Sequence, residues 1–376
     1  MANGYVAPGF EAVAEAFDLN YAQELELGSA FAAYRGDEAL VDIWGGTADR
    51  KAGRAWARDT LQLLFSGSKG LVATAMSMLV DRGAIALDAP VSRYWPEFGK
   101  PEILIRNIVS HTARLPGLEQ PTTLAETLDP VEMARRLAAQ EPSRDPRAGF
   151  TYHAFTYGWL CAEVVRRVTG QGIGAFIAKE IAGSLGLDIY MGLPEALEPR
   201  VSRIEMAPDY LKTQGAPQDF SRDHLRWTIS SNPEHLTERS FYWNERATHA
   251  AVLPGAGAIA TARDVAKLYA KIAGGGAPLL SSAGVDRART ALVDTYDQVN
   301  ERVWAFGIGY ELNTEPYCYG PPDDGFGHGG AGGSSHGAWP SHGIGYSYCM
   351  NLMHDLGRPD PRAKRLLDAL YACANR

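Results

Sequence analysis

The chain has 376 residues, with 44 acidic against 36 basic side chains and a formal charge of −8, so no broad cationic face for nucleic acid or anionic lipid is expected. Hydrophobic residues make up 45% and charged residues 21%, which excludes a disordered or fibrous chain, and no run of about 18 apolar residues offers a membrane span. Glycine (40) and proline (22) exceed ordinary usage, which implies many tight turns.

Residues 9–27 carry Phe10, Val13, Phe17 and Tyr21 at helical spacing. Runs 29–34 and 39–44 read as strands joined at Gly36-Asp37-Glu38, a hairpin signal. Residues 67–82 are apolar nearly all round and stop at Gly83, as a helix buried between layers does. Helical patterns follow at 103–109, 130–139, 157–168 and 173–185. Residues 206–250 are polar, aromatic-rich and aperiodic, and read as a substrate-facing excursion or a surface loop. A helix over 261–272, strand-like runs 304–312 and 344–353, and a closing helix from Pro361 complete the chain. Strands at both ends with helices between predict an α+β fold, an antiparallel sheet flanked by helices and built from both termini. The expected organisation is residues 1–80 with 255–376 as the sheet domain and 81–254 as a mainly helical insert, the active site lying in the cleft between them.

Cys161, Cys318, Cys349 and Cys373 are scattered, without a C-x-x-C pair, and read as reduced thiols. The first residues lack a basic start followed by an apolar stretch, so a cytoplasmic protein is expected. Two serines compete as a nucleophile. Gly333-Ser334-Ser335-His336-Gly337 fits G-x-S-x-G, but a strand-like run and not a helix follows it, so the match reads as fortuitous. Ser66-Gly67-Ser68-Lys69 fits S-x-x-K at the start of an apolar helix, where residues three apart share a face. A lysine desolvated by Leu63, Leu64, Phe65, Leu71 and Val72 can serve as the base that a serine needs. Ser66 as a helix N-cap beside a solvated first-turn lysine is the competing reading of these residues. No histidine spacing suits a metal, and Gly327-x-Gly329-x-x-Gly332 lacks the βαβ context of a dinucleotide site, so neither metal nor cofactor is expected.

Several strings in order decide between these readings: VDIWGG (41–46), FSGSKG (65–70), LDAPVSRYWPEF (87–98), SHTARLPG (110–117), GFTYHAFTYGWL (149–160), VVRRVTG (164–170) and GHGGAGGS (327–334). With them the chain resembles the class C β-lactamase and penicillin-recognising serine hydrolase superfamily, and more closely its family VIII carboxylesterases. The resemblance implies a β-lactamase-like fold, Ser66 as the acylated nucleophile, Lys69 as its base and Tyr152, at the family's Tyr-x-Asn position, as a second proton-transfer group. It places His328-Gly329-Gly330 at the family's Lys-Thr-Gly strand beside the substrate, with the amides of Ser66 and Ala331 as oxyanion hole.

Departures from the family pattern shape the expectation. Ala154 replaces the asparagine, and His328-Gly329 replaces the Lys-Thr pair that grips a β-lactam carboxylate, so strong β-lactamase activity is not expected. Arg114 stands where the family carries glycine. Phe155, Trp227, Tyr242, Trp243 and Trp339 are candidates for an apolar pocket suited to short-chain or aryl esters, with Phe155 and Trp243 the preferred substrate contacts. The expectation is a serine carboxylesterase acting on a small-molecule ester, without nucleic-acid or membrane partners. The alternatives are a β-lactamase or D-amino-acid peptidase of the same fold, and a non-catalytic ligand-binding homologue.

Overall fold

The computed structural model of the protein describes residues 2–213, 220, 222–237 and 242–376. Its main sheet takes strands from both ends of the chain: β1 (Asn3–Val6), β2 (Gly28–Arg35), β3 (Glu38–Asp49), β4 (Val293–Asp297), β5 (Arg302–Phe306), β6 (Glu311–Leu312), β7 (Phe326–Gly329), β8 (Ser335–Trp339) and β9 (Ile344–Met350). They lie in the order β1-β3-β2-β9-β8-β7-β6-β5-β4, antiparallel throughout, with Arg54–Ala55 paired to β3. The helices that matter to the site are α1 (Glu11–Ala22), α2 (Ser68–Asp81), α3 (Thr156–Thr169), α4 (Ala262–Ala273) and α5 (Pro361–Ala374). This is the predicted α+β, β-lactamase-like fold.

Period-two alternation gives the sheet two apolar faces. On one, Phe31, Val41, Ile43, Tyr346 and Tyr348 meet Val13 and Phe17 of α1 and Leu366 and Leu370 of α5. On the other, Ala32 and Tyr34 meet Ala266 and Ala270 of α4. Small residues bring that helix very near the sheet: a Cβ on Gly345 would lie 1.9 Å from the Ala270 nitrogen. Helix α2 is buried over Ser68–Leu79, which accounts for its lack of a polar face. The four cysteines are unpaired, and among the described residues no helix is long and apolar enough to cross a membrane.

Several elements differ from the sequence expectation. The first helix is shorter than 9–27 because the chain already turns toward β2 after Ala22. Edge strand β1 carries no alternating signal; it is ordered by pairing with residues 41–44. The run 304–312 divides into β5 and β6, since Gly309 takes φ +77° and a Cβ there would meet the Tyr157 hydroxyl at 2.0 Å. Residues 206–250 contain the short helices Pro208–Thr213, His224–Ser230 and Arg246–Ala250, too brief for periodicity to reveal; 214–219, 221 and 238–241 of that segment lie outside the described residues.

Arg362 at the start of α5 is fully buried and ties the chain end to the sheet. It donates to the carbonyls of Leu25 (3.2 Å), Leu352 (3.0 Å) and Gly332 (2.5 Å) and to the Asp360 carboxylate (2.9 and 3.1 Å). Burial pushes the neighbouring Glu26 carboxyl up to about 7 despite the pull of Arg362. Removing one partner strands the other charge in the core, so Arg362→Met is expected to cost about 3–5 kcal/mol of stability, read from urea denaturation. A loss under about 1 kcal/mol would contradict this role.

Candidate active site

A short sheet beside the main one fixes the turn that carries Ser66. Gln62–Leu63 and Ile189–Met191 pair on either side of Ala258–Ala260, the Leu64 amide donates to the Ala258 carbonyl (2.8 Å), and the Ala258 amide donates to the Ser68 hydroxyl (2.9 Å). The turn is strained at Phe65, whose φ of +48° is a left-handed value rare for a bulky residue. The strain lies one residue before Ser66. A tight 3₁₀ turn, Phe65–Gly67, then leads into α2.

Lys69 follows one turn later and is fully buried. Its Nζ lies 3.1 Å from Ser66 Oγ, 2.6 Å from the Ala154 carbonyl and 2.8 Å from the Gly255 carbonyl. No carboxylate pairs with it among the described residues, and burial holds its amine well below the ordinary lysine range. A neutral amine has two hydrogens and one lone pair. In that form, with the two carbonyls accepting its hydrogens, the amine offers its lone pair to the Ser66 hydroxyl. The solvated N-cap arrangement is therefore not what forms.

Tyr152 completes the group. Its ring lies 4.9 Å from Lys69 Nζ, and it lines the same cleft as Ser66. Burial raises the phenol above its ordinary value. Asp297 fixes this segment, accepting from the Tyr152 amide (2.9 Å) and the Thr151 hydroxyl (3.1 Å). Ala154 does contact the site, but through its carbonyl, the part of the residue that a change of side chain leaves in place.

Strand β7 forms the opposite wall. His328 is buried, its Nδ1 2.9 Å from the Gly329 carbonyl, and burial followed by the proximity of Lys69 pushes its imidazole down to about 3. The position of the family's lysine thus carries no charge at neutral pH. The Gly329 amide donates to the Tyr319 hydroxyl (3.0 Å), which donates to Glu311 (2.8 Å), itself paired with Arg358. Gly330 approaches the Ser66 turn closely, since a Cβ there would lie 2.4 Å from the Leu64 carbonyl oxygen. Ser335 stands on β8, within a β7–β8 hairpin, with no helix leaving it as a nucleophile elbow requires.

A cleft of about 720 Å³ gathers Ser66, Tyr152, Ala154, Phe155, Trp243, His328, Gly329, Gly330 and Ala331. A second cavity of about 800 Å³, beside Leu118, Arg136, Arg147 and Leu225, shares none of these residues, so the chemistry assigns the site to the first. Trp243 lies edge-on to Phe65 (5.1 Å) and stacks with Phe155 (6.4 Å), as an apolar wall would. The other three aromatic candidates do not line this cleft: Trp227 stacks on His224, Tyr242 lies against His235, and Trp339 is fully buried in the sheet core. Trp304, Tyr319, Glu311 and Arg302, which do line it, were not singled out by the sequence, because only strand pairing across β5, β6 and β7 brings them here.

Two local choices become intelligible. Arg114 adopts φ +57°, the left-handed conformation glycine takes readily, and its guanidinium donates to the carbonyls of Ser143 and Asp145 (both 2.9 Å). Gly67 is required by contact, since a Cβ would fall 2.5 Å from His336 Cδ2, and His336 is buried with Nδ1 bonded to Ser347 Oγ (2.7 Å). Gly67→Ala is expected to cost about 1–3 kcal/mol and to displace the Ser66 turn, measured by thermal unfolding together with fluorophosphonate labelling. Unchanged stability and labelling would show that His336 yields.

Comparisons with known proteins bear on the family of the chain. The Beta-lactamase family model matches residues 17–371. The Esterase/beta-lactamase LipL of Mycobacterium tuberculosis is 32% identical, over 93% of this chain and 83% of its own. Among solved structures, a family VIII carboxylesterase superposes with TM-score 0.89 at 32% identity, covering 99% of this chain and 100% of that one. A penicillin-binding protein homologue from Caulobacter crescentus gives 0.88 at 32% identity, with the same coverage. The strained turn with a serine and a buried lysine, and the match over nearly the whole length, lead to one conclusion: this chain belongs to the Beta-lactamase family of serine hydrolases.

Proposed function

We propose that the protein is a serine carboxylesterase that works through an acyl-enzyme on Ser66. The observation that carries this reading is the placement of Lys69: a buried amine held by the Ala154 and Gly255 carbonyls with its Nζ 3.1 Å from Ser66 Oγ. In the first half-reaction the amine takes the Ser66 proton, Oγ attacks the ester carbonyl, and the Ser66 and Ala331 amides receive the oxyanion. Tyr152, beside Ser66 and still protonated, passes a proton to the departing alcohol and regains one from Lys69. Water, giving a proton to the same pair, then attacks the acyl-enzyme; the bond from the acyl carbon to Oγ breaks, the proton returns to Ser66 Oγ, and the acid leaves.

Esters are preferred over β-lactams on two grounds. The β7 position that would grip a β-lactam carboxylate holds an uncharged histidine, and the walls made by Phe65, Phe155 and Trp243 suit short-chain or aryl groups. The name of the family VIII carboxylesterase supports the same choice, whereas that of LipL carries both activities. The test compares hydrolysis of p-nitrophenyl acetate with that of a chromogenic cephalosporin. The ester is expected to be favoured by at least about 100-fold in kcat/KM, and a faster cephalosporin rate would replace this reading with a β-lactamase.

A further inference from the structure

Among the described residues, one cation in the cleft is in contact with no counter-ion. Arg302 of β5 lines the same 720 Å³ cavity as Ser66, and no hydrogen bond or ion pair engages its guanidinium among the described residues. The guanidinium sits over the Trp304 ring at 4.3 Å, and Trp304 lies 4.9 Å from the ring of Tyr152. Alternation along β5 puts Arg302, Trp304 and Phe306 on one face, the face that meets Tyr152. The other charges nearby are already satisfied. Arg358 is taken by Glu311, Glu301 by Arg226 (3.0 Å) and Asp360 by Arg362 (2.9 Å). Glu315 and Asp355, which also line the cavity, are exposed to water that screens them. Arginine remains protonated throughout the ordinary pH range, so a half-buried guanidinium with no anionic partner among the described residues is a standing demand for an anion.

We infer that Arg302 is a specificity-determining subsite for a carboxylate carried on the alcohol portion of the ester. The side of the scissile bond follows from Tyr152: in the ester-hydrolase reading, on which this inference rests, Tyr152 protonates the leaving alcohol, and Trp304 and then Arg302 extend outward from its ring. Arg302 thus lies beyond Trp304, two ring contacts from the reacting serine, so the carboxylate it meets sits at the far end of an aryl or similarly long alcohol. The charge also restores, from β5, a cation that β7 lacks at His328. Burial, with Arg358 nearby, disfavours the charged guanidinium, the direction that a bound carboxylate reverses.

The test uses a matched pair of acetate esters, 3-(4-acetoxyphenyl)propanoate and its primary amide, which share acyl group and phenol but differ in charge. In the intact protein kcat/KM for the carboxylate is expected to exceed that for the amide by about tenfold, less at high salt. Arg302→Gln is expected to abolish this ratio and Arg302→Lys to keep most of it, which separates a charge effect from lost packing on Trp304. A ratio that is unchanged in Arg302→Gln overturns the inference. A binding measurement keeps the two readings apart: calorimetry of 3-(4-hydroxyphenyl)propanoate on Ser66→Ala, with and without Arg302→Gln, needs no turnover. About tenfold weaker binding in the double variant supports the subsite even if neither ester is hydrolysed, and equal affinity removes it even if both are.

Discussion

Ser66→Ala is expected to abolish ester turnover, by on the order of 10⁴-fold or more in kcat, and to eliminate covalent labelling by a fluorophosphonate. The size of the effect follows from the role: without Oγ no acyl-enzyme forms, and the remaining amides stabilise a charge that no longer develops. Ser335→Ala supplies the contrast. That serine is buried within the β7–β8 hairpin, and its removal is expected to leave labelling intact. Peptide mapping of the labelled protein by mass spectrometry reads both variants. Label that persists in Ser66→Ala and disappears in Ser335→Ala would transfer the nucleophile to β8 and undo the mechanism.

Lys69→Ala is expected to lower kcat by about 10²–10⁴-fold, the usual worth of a general base. Lys69→Arg should not rescue it, because a guanidinium stays protonated and offers no lone pair. The pH profile gives the sharper test. Burial lowers the Lys69 value and raises that of Tyr152, directions that favour the amine as the base and the phenol as the acid. As pH falls through the lowered lysine value, the amine gains a proton and kcat/KM declines. The rise of kcat/KM with pH is therefore expected to have its midpoint well below 10.5, the ordinary lysine value. Burial holds His153 at about 4 and His328 and His336 at about 3, so none of these three accounts for a limb above pH 5. A midpoint near 10.5, or turnover by Lys69→Ala within tenfold of the parent, would remove Lys69 from the role of base.

Ser66 and Lys69 were readable because their relation is local. Three residues along one helix share a face, and an apolar run around a lysine already signals desolvation. Tyr152 is different. It lies 83 positions beyond Lys69, its own neighbours make it an ordinary aromatic, and only the family's string placed it beside the serine. The aromatic candidates show the limit of composition: Phe155 and Trp243 reach the cleft, whereas Trp339, equally apolar, fills the core between Tyr346 and Tyr371.

By itself the sequence determined the helix that presents Ser66 over Lys69, the β2–β3 hairpin and the closing helix, because periodicity and turn chemistry act within a dozen residues. It also determined the absence of a lysine or arginine at position 328. Tertiary structure alone decided that the carbonyls of Ala154 and Gly255 hold the lysine amine, that His336 leaves room only for glycine at position 67, and that Arg302 lines the cleft beyond Trp304 with no counter-ion in contact among the described residues. Each joins parts of the chain brought together by folding, and the strength of a charge or hydrogen bond there depends on the burial and partners that such packing creates.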